Sequence, residues 1–250
     1  MLYGGHAKTP EDIRFLEDIG CNLAEVLLSN ARIRQVWRDS GLKCPLSTGF
    51  IFLAHGPQEG PPNDANHLIN RYYPEVRETI TTAEALGVHL LTIHLWMDPR
   101  FVFPDIRKKK IEILQQLVPF SLDRGILLCL ENLSESADVL TEILREVPHL
   151  ALTLDIGHGQ LLSETNTSFG IIERLTAAIQ HVHIHDNRGG KGVKDDLHLP
   201  IGEGVIDFEQ ILGALLRKGY DRTVTLELHQ DVLAASLKRV KDMIRRILNP

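Results

Sequence analysis

Short apolar runs alternate with longer amphipathic segments along nearly the whole chain. Short apolar runs predict buried strands, and the amphipathic segments between them predict helices. The predicted strands are LYGGHA (2–7), NLAEVLL (22–28), GFIFLAH (49–55), HLLTIHLW (89–96), ILLCLEN (126–132), LALTLDI (150–156), HVHIHD (181–186) and TVTLELH (223–229). Because a helix-like segment follows each of the eight strands, the pattern predicts an α/β fold, a single (β/α)8 TIM barrel.

The first predicted helix, residues 9–20, carries the usual signals at both ends. Thr9 is a suitable N-cap, Pro10 occupies the first helical position, and Gly20 follows the last turn. The other predicted helices cover residues 31–40, 67–87 (interrupted by Pro74), 105–125, 136–147, 169–179, 207–219 and 231–248. A chain of this length can form one large domain or two small ones. No linker or low-complexity stretch divides it, so we expect one domain over residues 1–250.

Composition narrows the classes of partner and the compartment. A net charge of −6 provides no overall attraction to nucleic acid or to an anionic membrane. The three cysteines, Cys21, Cys44 and Cys129, form no CxxC pair, which disfavours a disulfide framework. The first residues lack a signal-peptide pattern, and no apolar stretch is long enough for a membrane span. We therefore expect a cytoplasmic protein with no membrane partner.

Histidines and carboxylates occupy the inward-facing positions where the predicted strands end. The inward series are Ile51-Leu53-His55, Leu90-Thr92-His94, Leu127-Cys129-Glu131, Ala151-Thr153-Asp155 and Thr225-Glu227, with His6 and Glu25 on the first two strands. One such residue is usually a hydrogen-bonded rim residue. Several buried together would each carry a large desolvation cost, and a shared cation is the simplest partner for them.

The stretch HVHIHDNRGGKGVKDDLHLPIGEG, residues 181–204, adds further ligand types. Its three histidines alternate and share one face, so His181 should lie deepest, His183 at ligand depth and His185 nearer the mouth. We interpret His181 as a core histidine hydrogen-bonded to a neighbour. The pair Asp196-x-His198 can return to the rim after the glycine-rich loop. Mixed histidine and carboxylate ligands favour zinc, manganese or iron over calcium.

A series of motifs resembles the xylose isomerase-like TIM-barrel superfamily, which includes AP endonuclease family 2. The motifs are GGHA (4–7), AHGP (54–57), TIHLW (92–96), LENL (130–133), LDIGHG (154–159), HIHDN (183–187), DLHLPIGEG (196–204) and LELH (226–229). One branch, endonuclease IV, holds three zinc ions. The resemblance implies three ligand sets here: His55, His94 and Glu131; Glu131, Asp155, His183 and Glu227; and His158, Asp196 and His198.

The other branch contains sugar isomerases and epimerases, which resemble this chain in the set Glu131, Asp155, His183 and Glu227. That resemblance implies one divalent ion, with Glu131 and Glu227 as the catalytic acid and base. Across both branches the implied cofactor is one to three divalent ions, most often zinc or manganese. Inversion next to a carbonyl needs a proton acceptor and a proton donor placed on the two faces of the substrate.

The loops separate the two functions. GPQEG follows His55 without the tyrosine that endonuclease IV has there, and no aromatic, basic loop offers a wedge for DNA. We therefore interpret the chain as a metal-dependent sugar or sugar-phosphate isomerase or epimerase with a small carbohydrate substrate. The alternative is an endonuclease IV-like phosphodiester hydrolase with DNA as its partner. A metal-binding protein without activity and a dehydratase are further alternatives.

Five residues near the predicted mouth are candidate substrate contacts: His6, Trp96, His185, Arg188 and Lys191. Trp96 either forms an apolar wall for a sugar ring or packs at the rim. Arg188, Lys191 and the nearby Lys194 either bind a phosphate group or belong to a solvated loop.

One other basic stretch, Arg107 to Lys110, is interpreted as the solvated face at the start of a helix.

Overall fold

Eight parallel strands form a closed barrel in chain order, from β1 next to β2 round to β8 next to β1. The computed structural model describes residues 1–44 and 49–249. The strands are β1 Leu2–Ala7, β2 Leu23–Leu27, β3 Ile51–His55, β4 Leu90–His94, β5 Leu127–Glu131, β6 Ala151–Asp155, β7 Ile179–Ile184 and β8 Thr223–Leu226. The predicted TIM-barrel fold is confirmed. Six strands are two or three residues shorter than their apolar runs, and β7 begins and ends two residues earlier than predicted.

Helical segments follow each strand and cover the outside of the barrel. They are α1 Pro10–Asp18, α2 Ala31–Ser40, α3 Ala65–His67, α4 Tyr73–Ala85, α5 Pro104–Leu122, α6 Ala137–Glu146, α7 Ser168–Leu175, α8 Phe208–Arg217 and α9 Gln230–Leu248. A π-helical turn, Leu68–Tyr72, joins α3 to α4, so Pro74 lies in the first turn of α4. Among the described residues, no helix combines the length and apolarity needed to cross a bilayer.

The barrel interior changes from apolar to ionisable along the strands. Its lower layer packs Leu23, Leu53, Leu90, Cys129 and Ala151 against one another. In the next layer the hydroxyls of Thr92 and Thr153 hydrogen-bond at 2.8 Å. Because side chains alternate along a strand, the following inward positions lie at the carboxyl ends of the strands, where the ionisable groups meet.

Strand register brings these ionisable groups to one level. His94 of β4 pairs with Glu131 of β5, and Asp155 of β6 pairs with His183 of β7. On the other side of the barrel, His6 pairs with Glu25. A closed sheet directs these neighbours towards one axis, so the fold itself concentrates the candidate ligands.

The basic run Arg107 to Lys110 at the start of α5 was predicted to be a solvated face. Its last residue, Lys110, is buried instead. Lys110 is only 1% exposed, and its ammonium group donates to the Glu59 carboxylate at 3.0 and 3.1 Å and to the Trp96 carbonyl. Lys110 follows Ile106 by four residues, so it lies on the face of α5 that packs on the barrel. The prediction was wrong for Lys110 because the charge run crosses the buried helical face.

Replacing Lys110 by Ala should destabilise the fold by about 3 kcal/mol at pH 8, because it leaves a buried carboxylate without its cation. Burial raises the pKa of Glu59 to about 7, although Lys110 opposes the shift. At pH 5 Glu59 is uncharged and does not need a cation, so the loss should be smaller there. Urea unfolding at both pH values measures the change.

The matched control is Lys108→Ala, at an exposed position of the same run, which should change stability by less than about 0.5 kcal/mol. Equal losses in the two variants would contradict the assigned role of the buried pair.

Candidate metal centre

Four side chains at the ends of β5 to β8 form the central cluster: Glu131, Asp155, His183 and Glu227. All four are buried, and one ligand atom of each lies within 4.8 Å of the others. The Nδ1 atom of His183 lies 2.9 Å from Glu227 Oε1, 3.4 Å from Glu131 Oε1 and 3.9 Å from Asp155 Oδ2. These separations suit four ligands that surround one ion.

Glu25 orients the histidine of this cluster. Its carboxylate oxygens lie 2.9 and 3.1 Å from His183 Nε2, so the ring donates its Nε2 proton to Glu25. Once Nδ1 has lost its proton, its lone pair is directed to the cluster. Such a carboxylate partner fixes the tautomer of a metal-binding histidine. The sequence predicted that Glu25 lies on an inward position of β2, but not that it orients His183.

His181 lies below the cluster in the barrel interior. Its ring nitrogens lie 2.7 Å from the Thr223 hydroxyl and 3.2 Å from Glu25 Oε2. These contacts agree with its interpretation as a hydrogen-bonded core histidine.

A second cluster combines His55, His94 and Glu131. Glu131 Oε2 lies 2.7 Å from His94 Nε2 and 3.4 Å from His55 Nε2. His55 Nδ1 lies 3.1 Å from the Gly56 carbonyl, a contact that leaves Nε2 directed to the cluster. Glu131 belongs to both clusters, so it would be a ligand in each.

His6 borders both clusters from β1. Its Nε2 atom lies 3.0 Å from Glu227 Oε1, and its ring packs edge-on against His55 at 5.4 Å. The His6 side chain is 22% exposed. It is therefore one of the partly exposed histidines next to Glu227, with His198 as another.

A third cluster contains His158, His185, Asp196 and His198. Asp196 Oδ2 lies 3.4 Å from His158 Nε2 and 3.2 Å from His198 Nε2. The other ring nitrogens are held by backbone carbonyls, His158 Nδ1 by Asn132 and His198 Nδ1 by Glu227, at 3.1 and 3.0 Å. His158, Asp196 and His198, the third ligand set implied by the resemblance, thus lie together.

His185 belongs to this third cluster in the structure. It lies just beyond the end of β7, yet it is fully buried because the His198 ring stacks on it at 3.9 Å. Its Nε2 atom is 3.3 Å from Asp155 Oδ1. Gly157 leaves room for the ring, since a Cβ there would come within 2.2 Å of it. The sequence predicted that His185 lies near the mouth of the barrel, but not that the His198 ring covers it.

Asp186 fixes the loop that carries Asp196 and His198. Its carboxylate accepts hydrogen bonds from the backbone N–H groups of Asn187 and Gly202, at 2.9 and 2.8 Å. Its backbone exchanges two further hydrogen bonds with Leu199. The loop is therefore attached to β7 on both sides of its two candidate ligands.

Many buried polar atoms around these clusters have no hydrogen bond of acceptable geometry. They are His6 Nε2, His94 Nε2, both oxygens of Glu131, Asp155 Oδ2, His183 Nδ1, both ring nitrogens of His185, Asp196 Oδ1 and Glu227 Oε1. Each such atom costs about 1–3 kcal/mol when it stays unpaired. Divalent cations would satisfy them together, and the nitrogen and oxygen donors fit zinc, manganese or iron.

Without a cation, the histidines and carboxylates stabilise each other's charges. Burial alone would raise the pKa of Glu131, but His94 and His183 hold it well below its usual range. Burial lowers the pKa of His55, yet the nearby glutamates raise it to about 8. Burial likewise opposes a charge on His198, yet Asp196 and Glu227 raise its pKa to about 9. A metal ion that binds to these histidines therefore has to displace the protons from their rings.

A cavity of about 470 Å³ opens above the clusters at the carboxyl ends of β1 to β3. Its walls are His6, Leu27, Ser29, Asn30, His55, Gly56, Gln58, His94, His158, Asp196, His198 and Glu227. Within the described part of the chain, no lysine or arginine belongs to this wall. We call it the mouth cavity.

The remaining candidate substrate contacts lie apart from the mouth cavity. Trp96 and Lys191 line a neighbouring cavity. Arg188 is exposed and lines neither cavity.

Comparisons with known proteins agree with this architecture. The sequence profile of a family described as xylose isomerase-like TIM barrel matches residues 13–248. "Uncharacterized protein MJ1311" of Methanocaldococcus jannaschii is 29% identical over 192 residues, which cover 70% of this chain and 63% of that protein. The chain thus spans less than two thirds of that relative.

Two solved structures share the fold over nearly the whole chain. A D-tagatose 3-epimerase-like protein superposes with a TM-score of 0.77 at 22% identity, covering 99% of this chain and 98% of that one. An IOLI protein with a bound zinc atom superposes with a TM-score of 0.71 at 16% identity, again covering 99% and 98%.

Zinc added to chelator-treated protein at pH 7 should bind at more than one equivalent per chain and release protons. His55 and His198, with pKa values of about 8 and 9, are protonated at pH 7 and must become neutral to bind metal. The apparent affinity should therefore rise between pH 6 and pH 9. Calorimetry in two buffers of different ionisation enthalpy counts both the ions and the protons.

His55→Gln should reduce the proton release, whereas His229→Gln, at an exposed histidine, should change neither count. Zinc uptake at only trace level would reject the metal centre.

Proposed function

Because this chain belongs to the xylose isomerase-like TIM-barrel family, we propose that it is a metal-dependent sugar or sugar-phosphate isomerase or epimerase. Its reaction moves a proton on the carbon next to a carbonyl. The observation that carries the proposal is the convergence of Glu131, Asp155, His183 and Glu227, with their unpaired buried atoms, below an open cavity.

Glu131, Asp155, His183 and Glu227 would hold the cation, which would polarise the substrate carbonyl and make the adjacent C–H bond more acidic. Glu131 and Glu227 then act as the acid and base. Burial opposes their ionisation, but neighbouring histidines keep the pKa of each carboxyl well below its usual range. Both glutamates are therefore ionised in the resting site at neutral pH. One takes the proton from the carbon, and the other has to take up a proton from water before it can return one to the opposite face.

Glu227 differs from Glu131 in its access to water. Its side chain is 6% exposed and its Oε1 atom lies 3.0 Å from His6, which is 22% exposed. The Glu131 side chain is fully buried, and His94, which lies 2.7 Å from it, is only 13% exposed. A proton taken up by Glu227 can exchange with solvent through His6. We therefore infer that Glu227 exchanges protons with water while Glu131 faces the enclosed side of the substrate.

The similar structures support the same reaction class and a zinc cofactor. One is a D-tagatose 3-epimerase-like protein, and another contains zinc. Their likeness to this chain is one of fold, and the assignment here rests on the arrangement of its own side chains.

Phosphodiester hydrolysis is the second candidate, favoured by the three adjacent clusters around Glu131, Asp155 and Asp196. Two observations oppose it. The net charge is −6, and no lysine or arginine is found among the described residues of the mouth cavity. A DNA-binding site gains most of its affinity from lysine and arginine contacts to phosphates.

Turnover in heavy water should introduce deuterium next to the carbonyl of one member of a panel of ketoses, ketose phosphates and inososes, with zinc, manganese or magnesium supplied. Exchange is expected because Glu227 communicates with solvent. NMR of the recovered sugar measures it. In parallel, abasic-site duplex DNA should remain uncut. Metal-dependent incision at substoichiometric protein, without exchange into any sugar, would favour the hydrolase instead.

Glu131→Gln and Glu227→Gln should each lower turnover more than tenfold, since an amide cannot take up the proton. The loss corresponds to a barrier increase of more than about 1.4 kcal/mol. Glu142→Gln, at an exposed glutamate of α6, is the matched control and should keep full turnover. If either site variant retained more than about a tenth of wild-type turnover, its catalytic role would be misassigned.

A further inference from the structure

A second cavity, of about 430 Å³, adjoins the candidate metal centre on the side of β4 to β7. Its walls are largely apolar and come from Trp96, Phe101, Leu133, Leu161 and Leu162. We call it the Trp96 cavity. His158 and Asp196 line both this cavity and the mouth cavity. The two cavities therefore adjoin at the third cluster.

Arg100 holds three loops together around this cavity. Its guanidinium pairs with Asp98 and donates to the backbone carbonyls of Ser134 and Leu162, at 3.0 and 2.9 Å. Leu162 has φ +55, and its N–H donates to the Gly190 carbonyl at 2.8 Å. A leucine in the left-handed region is strained and persists only where its surroundings hold it. The wall is thus fixed by contacts from several loops.

The polar groups of Trp96 form their hydrogen bonds with other protein groups. Its indole N–H donates to the Ser134 hydroxyl at 2.8 Å, and its backbone is held by Glu59 and Lys110. Its ring stacks on Phe101 at 4.8 Å, and Phe101 is still 37% exposed. The two rings offer carbon surface to a ligand.

We propose that the Trp96 cavity binds an apolar group, of phenyl size or larger, carried by the substrate. This inference rests on the proposed function and narrows its substrate class to carbohydrates with an apolar substituent at the end lying over His158 and Asp196. Sugar hydroxyls placed against Trp96, Phe101 and the leucines would lose hydrogen bonds to water without replacement, whereas an apolar group gains by leaving water. Lys191 is the one lysine or arginine that lines this cavity among the described residues.

The test compares two α-hydroxyketones that share the reacting unit, hydroxyacetone and 1-hydroxy-3-phenylpropan-2-one. Ligand-observed NMR titration of the zinc-loaded protein gives the dissociation constant of each without requiring turnover. The phenyl probe should bind at least tenfold more tightly, a difference of about 1.4 kcal/mol. Phe101→Asp should reduce this ratio below threefold, since it places a carboxylate in the apolar wall.

Phe103→Asp is the matched control, because Phe103 lies in the same loop, is 61% exposed and does not line the cavity. It should keep the wild-type ratio. Leu161→Asp is the second test variant, from a different loop, and should also reduce the ratio.

Equal binding of the two probes by the wild-type protein, no binding of either, or an unchanged ratio in both Phe101→Asp and Leu161→Asp would overturn the inference. Preference for the phenyl probe together with no isotope exchange into any sugar would instead reject the proposed function alone.

Discussion

The structure depends on burying carboxylates and imidazoles together beneath one end of a closed barrel. Glu25, Glu131, Asp155 and Glu227 are almost fully buried, and His183 contacts all four. Each buried charge would cost several kcal/mol if it were isolated. Histidines and carboxylates that alternate in space reduce this cost, and a divalent cation would remove most of the remainder. The arrangement therefore combines stability and cation binding in the same contacts.

The barrel fold brings these charged side chains together through the register of its strands. Parallel strands in register place successive ligands at one height, as with His94 beside Glu131 and Asp155 beside His183. The apolar layer below, with Leu53 and Cys129, excludes water from the lower side. Water can then approach only from the mouth, where His6 is partly exposed. An enclosed floor and one open side suit a reaction in which one carboxylate exchanges protons with solvent and the other does not.

Sequence periodicity was sufficient for the fold and for the ligands on strands, because a period of two fixes which side chains point inward. It was insufficient where the outcome depended on contacts between distant segments. Lys110 is buried because α5 rotates it towards Glu59, and a local charge run cannot indicate that partner. His185 is covered by His198, which lies thirteen residues later in the sequence and is brought back over it by a loop. The orienting role of Glu25 required the distance to His183.

Loops determine the part of the site that strand ends leave open. Strand ends supply ligands that could serve several reactions on this fold, so the choice among substrates has to come from the walls above them. On the side of β1 to β3 those walls are mostly polar, whereas beyond β4 Arg100 holds Leu162 and the Ser134 loop around an apolar space. The Arg100 guanidinium makes three hydrogen bonds with Asp98, and fixing such a long side chain costs conformational entropy. This fixed guanidinium keeps the apolar wall in shape when no ligand fills the cavity. A preorganised wall lowers the free-energy cost of binding.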